Sequence, residues 1–197
     1  YYVDELYAWY VERVQQRLKI FVPLTIIIIF VLFYFAFRSV AETLMVMLGV
    51  PFALVGGFWY LAILEYNMSI AVWVGLIALA GVAAETSAVM IAYLDEAYRR
   101  RMNAGRLSSL KDLLETVQVG AVERIRPMAM AGLANILGLI PIMWASGTGA
   151  DVMKRLAAPM VGGVLSAMLM TLIVIPVVYT LWRWHTEIGP RVNSGAP

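Results

Sequence analysis

One carboxylate stands inside an otherwise apolar run, AVWVGLIALAGVAAETSAVMIAYL, which occupies residues 71–94; it is Glu85. At about 1.5 Å of rise per residue, a helix of about 24 residues crosses roughly 30 Å of hydrocarbon. A charge in that region costs roughly 2.5–3.5 kcal/mol on insertion scales, so carrying a proton or an ion is the first chemistry to consider for it. On a helix, Ala78, Gly81, Val82, Ala88 and Val89 lie within two turns of Glu85. These mostly small residues let another helix approach closely, so Glu85 points to a neighbouring helix or a wet crevice rather than to lipid. A carboxyl group whose charge answers to its neighbours can take up and release a proton. The plainer alternative is a protonated, structural carboxyl between helices, with Thr86 or Ser87 as local partners.

The second soft chemistry is thioether. The chain has twelve methionines and no cysteine. Methionine sulfur is a ligand suited to Cu(I) and, by the same logic, Ag(I). The pairs Met45/Met47, Met128/Met130 and Met168/Met170 are spaced i,i+2, do not face one another on a helix, and read as apolar filler. Met153 differs, because it lies beside Asp151, Lys154 and Arg155 at one end of a span. Without cysteine, disulfides and thiolate chemistry are excluded. The single histidine, His185, lies outside the apolar runs, which leaves no triad or histidine zinc site. The loop SGTGAD, residues 146–151, lacks the GK[ST] ending and preceding strand of a phosphate cradle. The chain therefore reads as a secondary active transporter, not an enzyme, and no resident cofactor is expected.

The elements that must position these residues follow from hydropathy. The chain is 62% hydrophobic and 14% charged, against roughly 25% charged in a soluble domain. The reading is an all-α membrane protein, a bundle of five transmembrane helices with an N-terminal entry helix and one cytoplasmic interfacial helix. Residues 1–19 form the amphipathic entry helix, apolar at Leu6, Trp9, Tyr10, Val14 and Leu18. Spans are expected at about 20–37, 40–63, 71–94, 128–145 and 156–184. Pro51 should kink the second. Residues 107–123 read as the interfacial helix, capped by Ser108 or Ser109, and 185–197 as a cytoplasmic tail. Arg38, Arg99–Arg101, Arg106, Lys111, Arg124, Arg126, Arg183 and Arg191 mark the cytoplasmic ends. The basic cluster at 99–106 is thus explained by topology, not by nucleic acid. A first residue that is not Met, and an odd span count, read as a piece of a longer polypeptide.

VPLTIIIIFVLFYFAF, PFALVGGFW, GLIALAGVAAE, RIRPMAM, GLIPIMW and ADVMKRLAAPMVGG occur in this order. Together they resemble the C-terminal membrane half of heavy-metal efflux pumps of the resistance–nodulation–division superfamily, and best its copper/silver branch. The resemblance implies a proton-driven exporter of Cu(I) or Ag(I) by metal/proton antiport. It also implies a homotrimer in the bacterial inner membrane, a first membrane half outside this chain, a periplasmic adaptor and an outer-membrane channel. Glu85 falls at the family's proton-relay glutamate, and Met153 at a methionine of its metal path. The residue after RIRP is often a relay lysine in the family; here it is Met128, which cannot carry a proton. Asn135, or an acid from the missing half, are the candidates to compensate. Two other readings remain: a pump of the same superfamily for divalent metals or drugs, and a non-transporting degenerate fragment.

Overall fold

The computed structural model describes residues 2–105 and 109–188. Five long helices account for nearly all of them: α1 Tyr2–Phe37, α2 Val40–Ile63, α3 Ile70–Asn103, α4 Leu110–Met143 and α5 Ala150–Arg183. A five-residue π-helical stretch, Trp184–Ile188, follows. No strand occurs among the described residues, and all five helices are long and apolar enough to cross a membrane. The chain is an all-α membrane protein.

The chain divides into two compact units, Tyr1–Thr43 and Leu44–Pro197. In the first, the expected entry helix and first span are one continuous helix of 36 residues, with Pro23 inside it. Ile20, Phe21, Leu24, Ile27, Leu32 and Phe35 are exposed along it, a surface chemically matched to lipid. The side chains of Leu6, Tyr10 and Leu18 lie outside the described ones. The helix ends where Arg38 takes a left-handed backbone, φ 54°. Ser39 then accepts hydrogen bonds at the start of α2, its Oγ from Glu42 N and its carbonyl from Thr43 Oγ1.

In the second unit, α2, α3 and α5 share one core. Ala53 and Leu61 meet Val72, Leu76, Leu79 and Ala83, and these meet Ala158, Val164 and Ala167. So many small residues let backbones approach closely, the usual means of packing helices where lipid offers no hydrophobic driving force. At Gly75 a side chain would collide with the carbonyl of Leu156, which fixes where α5 crosses the start of α3.

The fourth helix differs from the sequence reading. An interfacial helix over 107–123 and a span over 128–145 were expected as separate elements; the structure has one helix, Leu110–Met143, running through Pro127. Residues 107 and 108 lie outside the described ones. Ser109 provides the cap, as one end of a reciprocal capping box with Asp112. The continuity has a physical reason. Leu113, Val117, Gly120, Met128 and Gly132 are all buried, and at helical spacing they form one stripe. The charges that suggested a break mostly turn outward: Glu123 and Arg126 are exposed, while Arg124 lies over the Tyr93 ring at 5.4 Å. At the other end, α3 runs past the apolar stretch to Asn103. Of the expected tail, only 185–188 is described.

Candidate proton and metal site

α3 has two unlike faces around Glu85. Leu79, Ala83, Ala84, Ser87, Met90 and Ile91 are buried against the other helices. Ala78, Gly81 and Glu85 lie on the opposite, exposed side, and Ala88 and Val89 are half-buried at its edge. A Cβ at Gly81 would meet nothing within 4 Å, so the stripe of small residues faces out of the described bundle rather than into it. Gly81, expected to face a closely packed helix, is exposed, whereas Gly75 six residues earlier is buried.

Glu85 has no hydrogen bond or ion pair among the described residues. Neither of the two local partners proposed for a structural carboxyl bonds it. Thr86 Oγ1 donates to the Val82 carbonyl of its own helix at 2.8 Å. Ser87 Oγ is buried without a partner, pressed against α2 where only the glycine at position 49 leaves it room. The structure thus presents a free carboxylate on an open, small-residue strip of an apolar helix.

Met128 is 2% exposed. It lies one turn from Gly132, whose missing side chain is replaced by the Met168 thioether of α5. The position where the resemblance implies a lysine is therefore filled by core, on the inner face of α4, whereas Glu85 faces out from α3. Asn135 and Gly138 are exposed on the outward side of α4, and Gly138 also has nothing within 4 Å of a would-be Cβ. Pro51 is exposed in the middle of α2, which is continuous through it.

Met153 is 48% exposed in the first turn of α5. That turn is pinned. Gly149 caps it in a left-handed conformation, φ 85°, and its carbonyl accepts from Met153 N at 3.2 Å. Arg155 Nη1 donates to the Asn67 carbonyl at 3.3 Å and lies over the Tyr66 ring at 5.5 Å. Because Leu156 abuts Gly75, Met153 belongs to the Gly75 end of α3, about 15 Å along the helix from Glu85. A thioether at one end and a carboxylate at mid-depth are thus two stations, not one binding site. Among the described residues no three His, Cys, Asp or Glu side chains group as a metal site.

Sequence reasoning missed the most developed polar cluster. Arg183 Nη2 donates to Asp95 Oδ1 at 2.7 Å, and Tyr179 Oη donates to the same oxygen at 3.4 Å. Arg99 Nε holds the other carboxylate oxygen at 2.6 Å. The Arg183 guanidinium lies 4.4 Å from the Tyr98 ring and 4.5 Å from that of Trp182. Only 10% of the Arg183 side chain and 14% of Asp95's are exposed, so this ion pair ties the ends of α3 and α5 together within an aromatic cage. Asp95 and Arg99 at i,i+4 were visible in the sequence. Arg183 read only as a topology marker, because its partner is 88 residues away.

Over residues 8–183 the chain matches the AcrB/AcrD/AcrF family. It belongs to that family. This AcrB/AcrD/AcrF chain is 47% identical over 176 residues to the cation efflux system protein CusA of Escherichia coli K12. It is 46% identical over 172 residues to the putative cation efflux system protein SilA of Salmonella typhimurium. To the cobalt-zinc-cadmium resistance protein CzcA of Cupriavidus metallidurans it is 40% identical over 170 residues. These alignments cover 88%, 86% and 86% of this chain but 17%, 16% and 15% of the relatives. A crystal structure of a heavy metal efflux pump superposes with a TM-score of 0.74 at 35% identity, covering 86% of this chain and 16% of that one. The resemblance to heavy-metal efflux pumps of the resistance–nodulation–division type, read first from the motifs, therefore holds.

Proposed function

We propose that this chain is part of the membrane domain of a proton-driven exporter of Cu(I) or Ag(I), working by metal/proton antiport. The observation that carries the reading is Glu85. A carboxylate at mid-depth of an apolar helix, unpartnered among the described residues and flanked by small residues, is placed to exchange a proton with a group on an adjoining helix. The aligned part of each relative is about a sixth of its length, which leaves room for such a helix outside this chain. Met153, soft and exposed at the helix end, is the proposed metal contact, handing cargo toward or away from further donors. The metal and the protons are cargo. The assembly proposed is a homotrimer in the bacterial inner membrane, joined to a periplasmic adaptor and an outer-membrane channel.

Copper and silver are favoured over cobalt, zinc and cadmium by identity to CusA and SilA above that to CzcA, and by thioether chemistry at Met153. The specific observation favouring impaired transport is Met128, a buried thioether where the family resemblance implies a lysine.

The test uses the complete gene product carrying this sequence, in cells lacking their own copper and silver pumps. Wild type should raise silver and copper tolerance, Glu85→Gln should abolish it, and Met153→Ile should reduce it. Protection against zinc or cobalt instead would move the assignment to divalent metals. If wild type protects against no metal while Met128→Lys does, the machinery is present and the missing lysine limits it.

A further inference from the structure

Met153 does not stand alone at its end of the bundle. α3 and α4 run antiparallel, with Arg101 against Glu115 and Gly120 against Ala97. α3 and α5 run parallel, with Leu156 at Gly75 and Arg183 at Asp95. α4 and α5 are therefore antiparallel. Their register is set where the Met168 thioether takes the place of a side chain at Gly132. Eleven residues make about three helical turns, so a residue eleven positions away keeps the same face. Eleven positions along α4 from Gly132 is Met143, and eleven positions back along α5 from Met168 is Ala157. Met143 thus stands on the side of α4 that faces α5, at the level of Ala157.

Ala157 is fully buried and small, so a long side chain from α4 can come in against it. Met153 and Met160 lie one turn before it and one turn after it, at i−4 and i+3, on the same face of α5. Met143 and Met160 are half-buried, and both pack against the core that contains Ala158. Only residues 144–149 separate α4 from α5, which keeps the last turn of one beside the first turn of the other. Three thioethers therefore gather around one alanine. The approach to them is open. Trp144 is exposed, and a Cβ at Gly147 or Gly149 would meet nothing within 4 Å.

Thioether sulfur is soft and carries no charge. Three of them suit a monovalent soft ion; they offer zinc or cobalt neither the nitrogen and oxygen donors nor the thiolate that those ions take. We propose that Met143, Met153 and Met160 form a three-thioether site for Cu(I) or Ag(I) at the turn between α4 and α5. The proposal rests on the reading of Met153 as a metal contact, and gives that contact two further donors from this chain. Leucine at Met143 and Met160 would fill the same core space, so the sulfur atoms are what the test has to address.

Methyl NMR of the complete gene product in detergent, with carbon-13 on the methionine methyl groups, tests the site residue by residue. Met143→Leu, Met153→Leu and Met160→Leu assign the three signals, and each keeps the apolar volume. Ag(I) should shift all three signals at one common concentration. Each variant should weaken Ag(I) at the remaining two by at least about tenfold, since losing even an outer-shell partner of a metal costs that much. Zn(II) should leave the signals in place. No shift, a shift of Met153 alone, shifts that each variant leaves intact at the other two, or an equal response to Zn(II) would overturn the proposal. Silver tolerance of cells carrying the same proteins separates the site from the transport reading. The three shifts without tolerance would keep the site and remove the exporter. Tolerance without shifts at Met143 and Met160 would remove the site and keep the exporter.

Discussion

Asp95 and Glu85 are carboxylates of the same helix, ten residues apart, and the fold treats them in opposite ways. Asp95 lies just past the apolar stretch, mostly buried, with Arg183, Arg99 and Tyr179 on its two oxygens. Glu85 lies within the stretch, exposed, with no partner among the described residues. Water is within reach of an acid at a membrane surface, yet this is the one that the chain satisfies in full. Lipid cannot hydrogen-bond the other, yet the chain leaves it open. The difference separates a carboxylate that holds two helices together from one with no partner among the described residues, as the proposed proton exchange with another helix requires.

The comparison can be broken most sharply at Arg183. Replacing it by Met leaves Asp95 with the exposed Arg99 and the Tyr179 hydroxyl, and should cost about 3 kcal/mol of stability, the low end for halving a buried ion pair. Denaturant unfolding in detergent would measure this, and a loss below about 1 kcal/mol would reduce the cluster to a surface ion pair. The two glycines come next. Gly75→Val forces a side chain against the Leu156 carbonyl and should cost about 1–3 kcal/mol, as overpacking does. Gly81→Val meets no obstacle among the described residues, so it should leave the unfolding of these helices within about 0.5 kcal/mol of wild type while lowering metal tolerance. Unchanged tolerance there would mean that nothing docks on the Glu85 strip. Tyr98→Leu removes one ring from the Arg183 cage and should cost about 1 kcal/mol. Smallest of all is Thr86→Val: its hydroxyl serves the Val82 carbonyl, so metal tolerance should stay the same. A marked loss would return Thr86 to the role of partner for Glu85.

How much of this was legible in the sequence depends on the range of the interactions. Helix number and rough span positions follow from hydropathy, a local property. Glu85 and Met153 stood out because a charge in an apolar run and a thioether among charges are local anomalies. Three things were not legible. The continuity of α4 through Pro127 depends on a stripe, Leu113–Gly120 and Met128–Gly132, that is buried only once α3 and α5 are in place. The outward aim of Gly81 could not be told from the inward aim of Gly75, because small residues mark close approach without saying which helix approaches. The Asp95–Arg183 pair joins residues far apart in the chain, and each alone reads as an ordinary boundary charge.

The most direct test of the central claim is Glu85→Gln in the complete gene product, reconstituted in vesicles. Two readings are taken on the same protein: denaturant unfolding, and proton flux on addition of Ag(I). The account predicts unfolding within about 0.5 kcal/mol of wild type, since no hydrogen bond or ion pair among the described residues is lost, together with loss of metal-dependent proton flux. Flux equal to wild type would contradict the account. So would a loss of stability like that of Arg183→Met, which would place Glu85 with Asp95 among the residues that hold the bundle together.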